Sequence, residues 1–163
     1  MTNSIQKPDD PLSRFSLNIF RVYGLLMQVG DNVTKQVGQS SARWQVLGRA
    51  GQRPQTVAKM AREMGHARQS VQRVADVLEK EDLIVYIDNP SDRRAMLVQL
   101  TPKGEEVLQA IYSLYAAWSK QFMSKIDSQQ LGEMADLLEL IGDKLISVEP
   151  LTKERGPRNE KYF

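Results

Sequence analysis

Between Leu12 and about Val37 the apolar positions Ile19, Val22/Tyr23, Leu26, Val29 and Val33 recur at steps of three and four. That is the spacing of one face of a helix. A break at Gly38–Ser41 follows, and ARWQVLGRA then reads as a short helix carrying Trp44 and Leu47, closed by the turn GQRPQ. TVAKMAREM is a compact amphipathic helix with Val57, Met60, Ala61 and Met64 inward. Thr56 is placed to cap it, because a side-chain oxygen satisfies an otherwise orphan helical N–H, and Gly65 ends it. From Arg68 to about Glu81 the face Val71, Val74, Ala75 and Leu78 predicts another helix. Two short helices separated by the three residues Gly65–Ala67 form a helix-turn-helix pattern.

LIVYI and MLVQL are short β-branched or large-apolar runs joined by DNPSDRRA, which predicts a β-hairpin with a polar tip. Thr101-Pro102 starts the next helix, with Thr as cap, Pro at the first helical position and Glu105/Glu106 in the first turn. Its stripe of Val107/Leu108, Ile111, Leu114/Tyr115, Trp118 and Phe122 carries it to about Lys125. Asp127-Ser-Gln-Gln130 has capping-box spacing with Asp in the usual Ser/Thr place. After it, Leu131, Met134, Leu138, Ile141 and Leu145 alternate four- and three-residue steps, the pattern of a helix seam. Three long helices at the chain ends exceed what a core this small needs, so part of their apolar surface is expected to face a second subunit. The fold class is therefore mainly α with a small β-hairpin. The expected division is a flexible arm (1–11), an N-terminal helix (12–41), a helix-turn-helix and hairpin lobe (42–104), C-terminal helices (105–148) and a tail (149–163).

Composition narrows the chemistry. The 163 residues, 41% hydrophobic and 26% charged, suit one globular domain. No apolar run reaches transmembrane length, and the opening MTNSIQKPDDPLSRF has no signal-peptide core, so the chain is expected in the cytoplasm without a membrane partner. With no cysteine, disulfides, thiolate metal sites and thiol redox chemistry are excluded; with one histidine, His66, so is a polyhistidine site within one chain. No metal or cofactor is expected. Gly-rich phosphate loops, a Gly-x-Ser-x-Gly elbow and His-Glu-x-x-His are all missing, which argues against an enzyme. The net charge is only +2, yet Arg43–Lys103 holds eleven Lys/Arg against seven Asp/Glu, a surplus of four, while the remainder is acidic. A basic middle between acidic ends fits a segment facing a polyanion.

With its apolar stripe inward, the second helix of the pair points Gln69, Gln72 and Arg73 outward, flanked by Arg68 and Ser70. Gln matches adenine edges, Arg matches guanine, and Ser serves phosphate or base. These residues occupy the first half of the helix, the part that such motifs insert into the major groove. The hairpin tip adds Asp92, Arg93 and Arg94. Two arginines on an exposed turn gain little folding energy, but an arginine in a narrow minor groove meets concentrated negative potential. Thr56, Arg68, Gln69, Ser70, Gln72, Arg73, Asp92, Arg93 and Arg94 are therefore the candidate DNA contacts. The alternative is a protein-interaction module whose hairpin binds an acidic partner.

The run from Ala42 to Leu108 resembles the multiple antibiotic resistance regulator (MarR) family. Asp92-Arg93-Arg94, followed by the apolar strand and Leu100-Thr101-Pro102-Lys103-Gly104, carries most of the likeness, and Arg68–Val74 stands in the recognition-helix place. The resemblance implies a winged helix-turn-helix with long N- and C-terminal dimerisation helices. It also implies a homodimeric repressor on a pseudo-palindromic double-stranded operator, Arg94 in the minor groove held by Asp92, and release by a small aromatic or phenolic ligand. Arg21, Tyr23, Trp44 and Tyr112 come from the helices that line the family's ligand cleft and are the candidate ligand contacts. This chain departs from the family at Ala67, where relatives carry a capping Asp, Ser or Thr. Having no cysteine, it also lies outside the peroxide-sensing thiol branch.

Overall fold

The computed structural model describes residues 10–148. The expected arm up to residue 9 and the tail from 149 lie outside the described residues. Residues 10 and 11 open the first helix, α1 (Pro11–Thr34). Asp10 caps it, its carboxylate accepting from Ser13 N–H at 3.0 Å and from Ser13 Oγ at 2.7 Å. These bonds hold the Asp10 carboxyl below its ordinary value.

After a 3-10 turn (Lys35–Val37) and the left-handed Gly38 come α2 (Ser41–Gln52), α3 (Val57–Met64), α4 (Arg68–Lys80), β1 (Ile84–Ile87), β2 (Leu97–Leu100), α5 (Pro102–Met123) and α6 (Ser128–Ser147). Helix α2 runs longer than its apolar pattern suggested, because Ser40 caps it early and Gly51-Gln52 stay helical. Thr56 caps α3 by accepting from Lys59 N–H at 3.2 Å, and Gly65, at φ 65°, ends it in the left-handed region that favours glycine. Ala67 supplies no side-chain cap to α4.

The chain divides into a unit ending at Trp118 and one beginning at Ser119. In the first unit, α3 packs on α4, α2 on α4 and β2, α1 on α2, and α4 on β1. The core is built from Val46, Leu47, Val57, Met60, Val71, Ala75, Leu78, Leu83, Ile84, Val98, Leu108 and Ile111, all buried. The inward faces of α3 and α4 are those their periodicity called for, since residues three and four apart share a helix face. Strands β1 and β2 pair antiparallel, with Ile84 opposite Leu100 and Ile87 opposite Leu97. Gln55 adds an antiparallel bridge to Val98, so the hairpin is tied to the segment before α3.

Thr101 joins hairpin to helix. Its Oγ1 accepts from Gly104 N–H at 3.0 Å and donates to Asp82 O at 2.7 Å. In the second unit Asp127 caps α6 by accepting from Gln130 N–H at 2.8 Å. No residue of α6 is buried in the single chain, and Met134, Leu137, Leu138, Leu140, Leu145 and Ile146 are exposed.

Candidate nucleic-acid interface

Helix α4 buries Val71, Ala75 and Leu78. At about 100° per residue that phase leaves Gln69 and Arg73 exposed on the opposite side, with Gln72 half-buried at its edge, while Arg68, closer to the phase of the buried face, is exposed as the first residue of the helix. The turn between the strands follows from the side chains of Asn89 and Asp92. Asn89 Oδ1 accepts from Ser91 N–H at 3.0 Å, and Asp92 Oδ1 accepts from Arg94 N–H at 3.0 Å. Ala95 N–H then donates to Asp92 O at 3.1 Å. Asp92 thus holds the backbone of Arg94 and not its guanidinium, which differs from the side-chain brace implied by resemblance. A short carboxylate two residues away reaches the N–H directly, closing a local turn that fixes where Arg94 leaves the backbone.

The helix and the hairpin meet at a crevice of about 290 Å³, bordered by Thr56, Arg68, Gln72, Tyr86 and Arg94. Four of the nine candidate DNA contacts converge there, from α3, α4 and the hairpin. Gln69, Arg73, Asp92 and Arg93 are exposed beyond its border. Ser70 instead borders a smaller hollow of about 130 Å³ with Tyr23, Met27 and His66.

Two residues the sequence reasoning passed over shape this face. Gln72 Nε2 donates to Asp76 Oδ1 at 2.7 Å and to Tyr86 Oη at 2.8 Å, while Tyr86 Oη donates to Asp76 Oδ1 at 3.2 Å. Burial first, and then the Asp76 carboxylate, push the Tyr86 hydroxyl up from 10.0 to about 12. Tyr86 therefore stays protonated at neutral pH and can donate. The available signal was that Gln72 and Asp76, four apart, share a helix face; Tyr86 lay inside an apolar run and gave none.

The ion pairs of the helix-turn-helix lobe lie away from the crevice residues. Arg43 pairs with Glu81 at 2.9 Å, and Glu63 draws Arg49 (3.5 Å), Lys59 (3.9 Å) and Arg53 (4.0 Å). Among the described residues Arg68, Arg73, Arg93 and Arg94 make no ion pair, so their charge is available to a polyanion. An exposed cation without an intramolecular carboxylate has no competitor to displace when phosphate arrives.

A separate cleft of about 450 Å³ opens between α1, α2 and α5. Tyr23, Trp44 and Tyr112 line it as expected, joined by Tyr115, Gln45 and Arg49. Trp44 meets Tyr115 edge-on at 5.0 Å between centroids. Arg21 does not line the cleft: two residues before Tyr23, it points about 200° away around the helix and is exposed. The arginine that borders the cleft is Arg49.

A helix-turn-helix followed by an arginine-tipped hairpin, with unpaired cations gathered on that face, defines a winged-helix DNA-binding protein. The family model described as "MarR family" matches residues 38–95. An uncharacterized protein of Mycobacterium tuberculosis is 35% identical over 129 residues, spanning 79% of this chain and 90% of that protein. A MarR/EmrR family transcriptional regulator from Acinetobacter sp. ADP1 shares the fold with TM-score 0.74 at 18% identity, over 83% of this chain and 96% of that one. CouR from Rhodococcus jostii RHA1, crystallised with p-coumaroyl-CoA, does so with TM-score 0.71 at 23% identity, over 93% and 100%. The chain belongs to the MarR family of transcriptional regulators.

Proposed function

We propose that this protein is a homodimeric repressor of a pseudo-palindromic operator. Helix α4 enters the major groove and the hairpin places Arg94 in the adjacent minor groove. The observation that carries this reading is the convergence of Thr56, Arg68, Gln72 and Arg94 on one crevice, flanked by exposed Arg73 and Arg93, with none of the four arginines in an ion pair among the described residues. Thr56 and Arg93 serve phosphates, and Arg68, Gln69, Gln72 and Arg73 face base edges. The exposed apolar side chains of α1 (Leu12, Leu17, Phe20, Leu25) and, separately, of α6 supply the surface for a second copy. Two-fold symmetry then sets half-sites about one helical turn apart.

The experiment is a salt series on DNA from upstream of the protein's own gene against random duplex. Binding should favour its own DNA and fall steeply with salt, with a log–log slope of about −0.9 per phosphate neutralised. Arg94→Ala should weaken it without changing the melting temperature. Equal affinity for both duplexes would end the operator reading.

We infer further that a small aromatic acid is the inducer. Tyr23, Trp44, Tyr112 and Tyr115 offer ring faces in the 450 Å³ cleft, and Arg49, whose guanidinium also meets Glu63 at 3.5 Å, borders it as the cation for a carboxylate. CouR, which shares the fold, holds an aromatic thioester. A ligand that prefers one dimer spacing shifts the population away from the DNA-competent one.

A further inference from the structure

The amide of Gln72 is already committed within the protein. Asp76 carries a carboxylate, which only accepts hydrogen bonds, so Gln72 must turn its nitrogen toward it. The same nitrogen donates to Tyr86 Oη, and Tyr86 sends its own hydrogen to Asp76. An amide nitrogen has two hydrogens, and these two partners take both. What remains is Oε1, which accepts from no protein donor among the described residues. Gln72 borders the crevice with Arg68 and Arg94, the face read above as meeting DNA, and Oε1 is its one polar atom left for a ligand there.

An unrestrained glutamine reads adenine by accepting from N6–H and donating to N7 together. Held in this way, Gln72 lacks the second half of that pair. We propose that Gln72 reads DNA through its carbonyl oxygen alone, because Asp76 and Tyr86 hold both amide hydrogens, so that the base opposite it is adenine or cytosine and not guanine or thymine. Adenine N6 and cytosine N4 are the amino donors of the major groove; guanine and thymine present acceptors there, which would face the oxygen unpaired. The inference rests on the reading that α4 enters the major groove. Asp76 and Tyr86 are positioning residues, acting on DNA only through Gln72. The hairpin thereby sets the base preference of the helix as well as contacting DNA itself.

The test is selection from a half-site library with the full-length protein, followed by sequencing, for wild type and variants. Gln72→Ala locates the position, as the one whose preference collapses. There the wild type should accept adenine and cytosine about equally and disfavour guanine and thymine about tenfold. The double variant Tyr86→Phe with Asp76→Ala frees the amide and should raise adenine over cytosine about tenfold, leaving other positions unchanged. A purely structural role would lower affinity at every position alike. If the double variant folds poorly, one of the two single variants, which each free one hydrogen, should give the same shift. A wild-type preference for guanine or thymine at that position, a Gln72→Ala profile with no altered position, or an unchanged adenine-to-cytosine ratio in every variant would overturn the inference while leaving sequence-specific binding standing. A wild type that enriches no sequence would overturn the DNA reading and this inference with it.

Discussion

Gly104 sits in the first turn of α5, where that helix passes the junction between α4 and β1. It is buried, and a Cβ built on it would press into the carbonyl oxygen of Leu83, with Leu83 C at 2.9 Å and Cα at 3.3 Å. The obstacle is backbone, and that backbone is held: Leu83 O accepts from Thr101 N–H at 3.2 Å, and Leu83 N–H donates to Leu78 O at 2.9 Å. Relief requires α5 to lift away from the junction, which strains the Thr101 bond and loosens Leu108 and Ile111. Overpacking of this kind costs about 1–3 kcal/mol, and the rigidity of the obstacle places Gly104→Ala near the upper end. For a chain of this length that corresponds to a fall in melting temperature of about 6–12 °C. Thermal melts should be compared at one protein concentration, because dimerisation would couple stability to concentration. Gly48→Ala is the control. Gly48 lies within α2, and its added Cβ meets only Tyr112 Oη, at 3.8 Å. Helix propensity alone should then stabilise it by up to about 1 kcal/mol. If Gly104→Ala melts within about 2 °C of wild type, or Gly48→Ala falls as far, the steric argument is wrong.

Tyr86 has a pH signature. Its hydroxyl titrates at about 12 in the folded chain against 10.0 ordinarily, so between those values the unfolded chain has released a proton that the folded chain keeps. Stability should therefore be independent of this group below pH 10 and decline from pH 10 toward 12. Tyr86→Phe should remove that component of the decline in urea titrations; an unchanged alkaline slope would refute the assignment. In the cleft, Arg49→Gln should weaken aromatic carboxylates about tenfold and leave their neutral amides unaffected, read by quenching of Trp44 fluorescence. Equal loss for both ligand classes would show that Arg49 acts by packing and not by charge.

The local features were largely legible. Thr56 and Asp127 announce the starts of α3 and α6, Gly65 announces a stop, and Thr101-Pro102 marks where the hairpin ends. Each acts on backbone groups within a few residues, so the chemistry is written beside the place it works. The inward faces of α3 and α4 were legible for a similar reason: a helix turns at a constant rate, and Val71, Ala75 and Leu78 state its phase. That phase also assigned Gln69 and Arg73 to the outside, while Gln72, expected beside them, is half-buried.

Features that join distant segments were not. Gln55 bridges Val98 across more than forty residues, and nothing in GQRPQ marks a third strand segment. Asp82 adopts a left-handed conformation (φ 60°) at the end of α4, where the pattern held no glycine to signal it. Arg21 was the expected partner for an acid, and only the setting of α1 against α2 leaves it exposed and brings Arg49 to the border of the cleft.

By itself, then, the sequence determined the element order, the caps at Thr56 and Asp127 and the buried faces of α3 and α4, because these depend on interactions a few residues long and on a fixed helical period. Only the tertiary structure decided which side chains meet. It turned Asp92 to the backbone of Arg94, brought Arg94 and Thr56 to the same crevice as Arg68, and closed Tyr86 and Asp76 around the amide of Gln72. A hydrogen bond depends on distance and direction to within fractions of an ångström, and no periodicity along the chain records the distance between a helix and the hairpin that follows it.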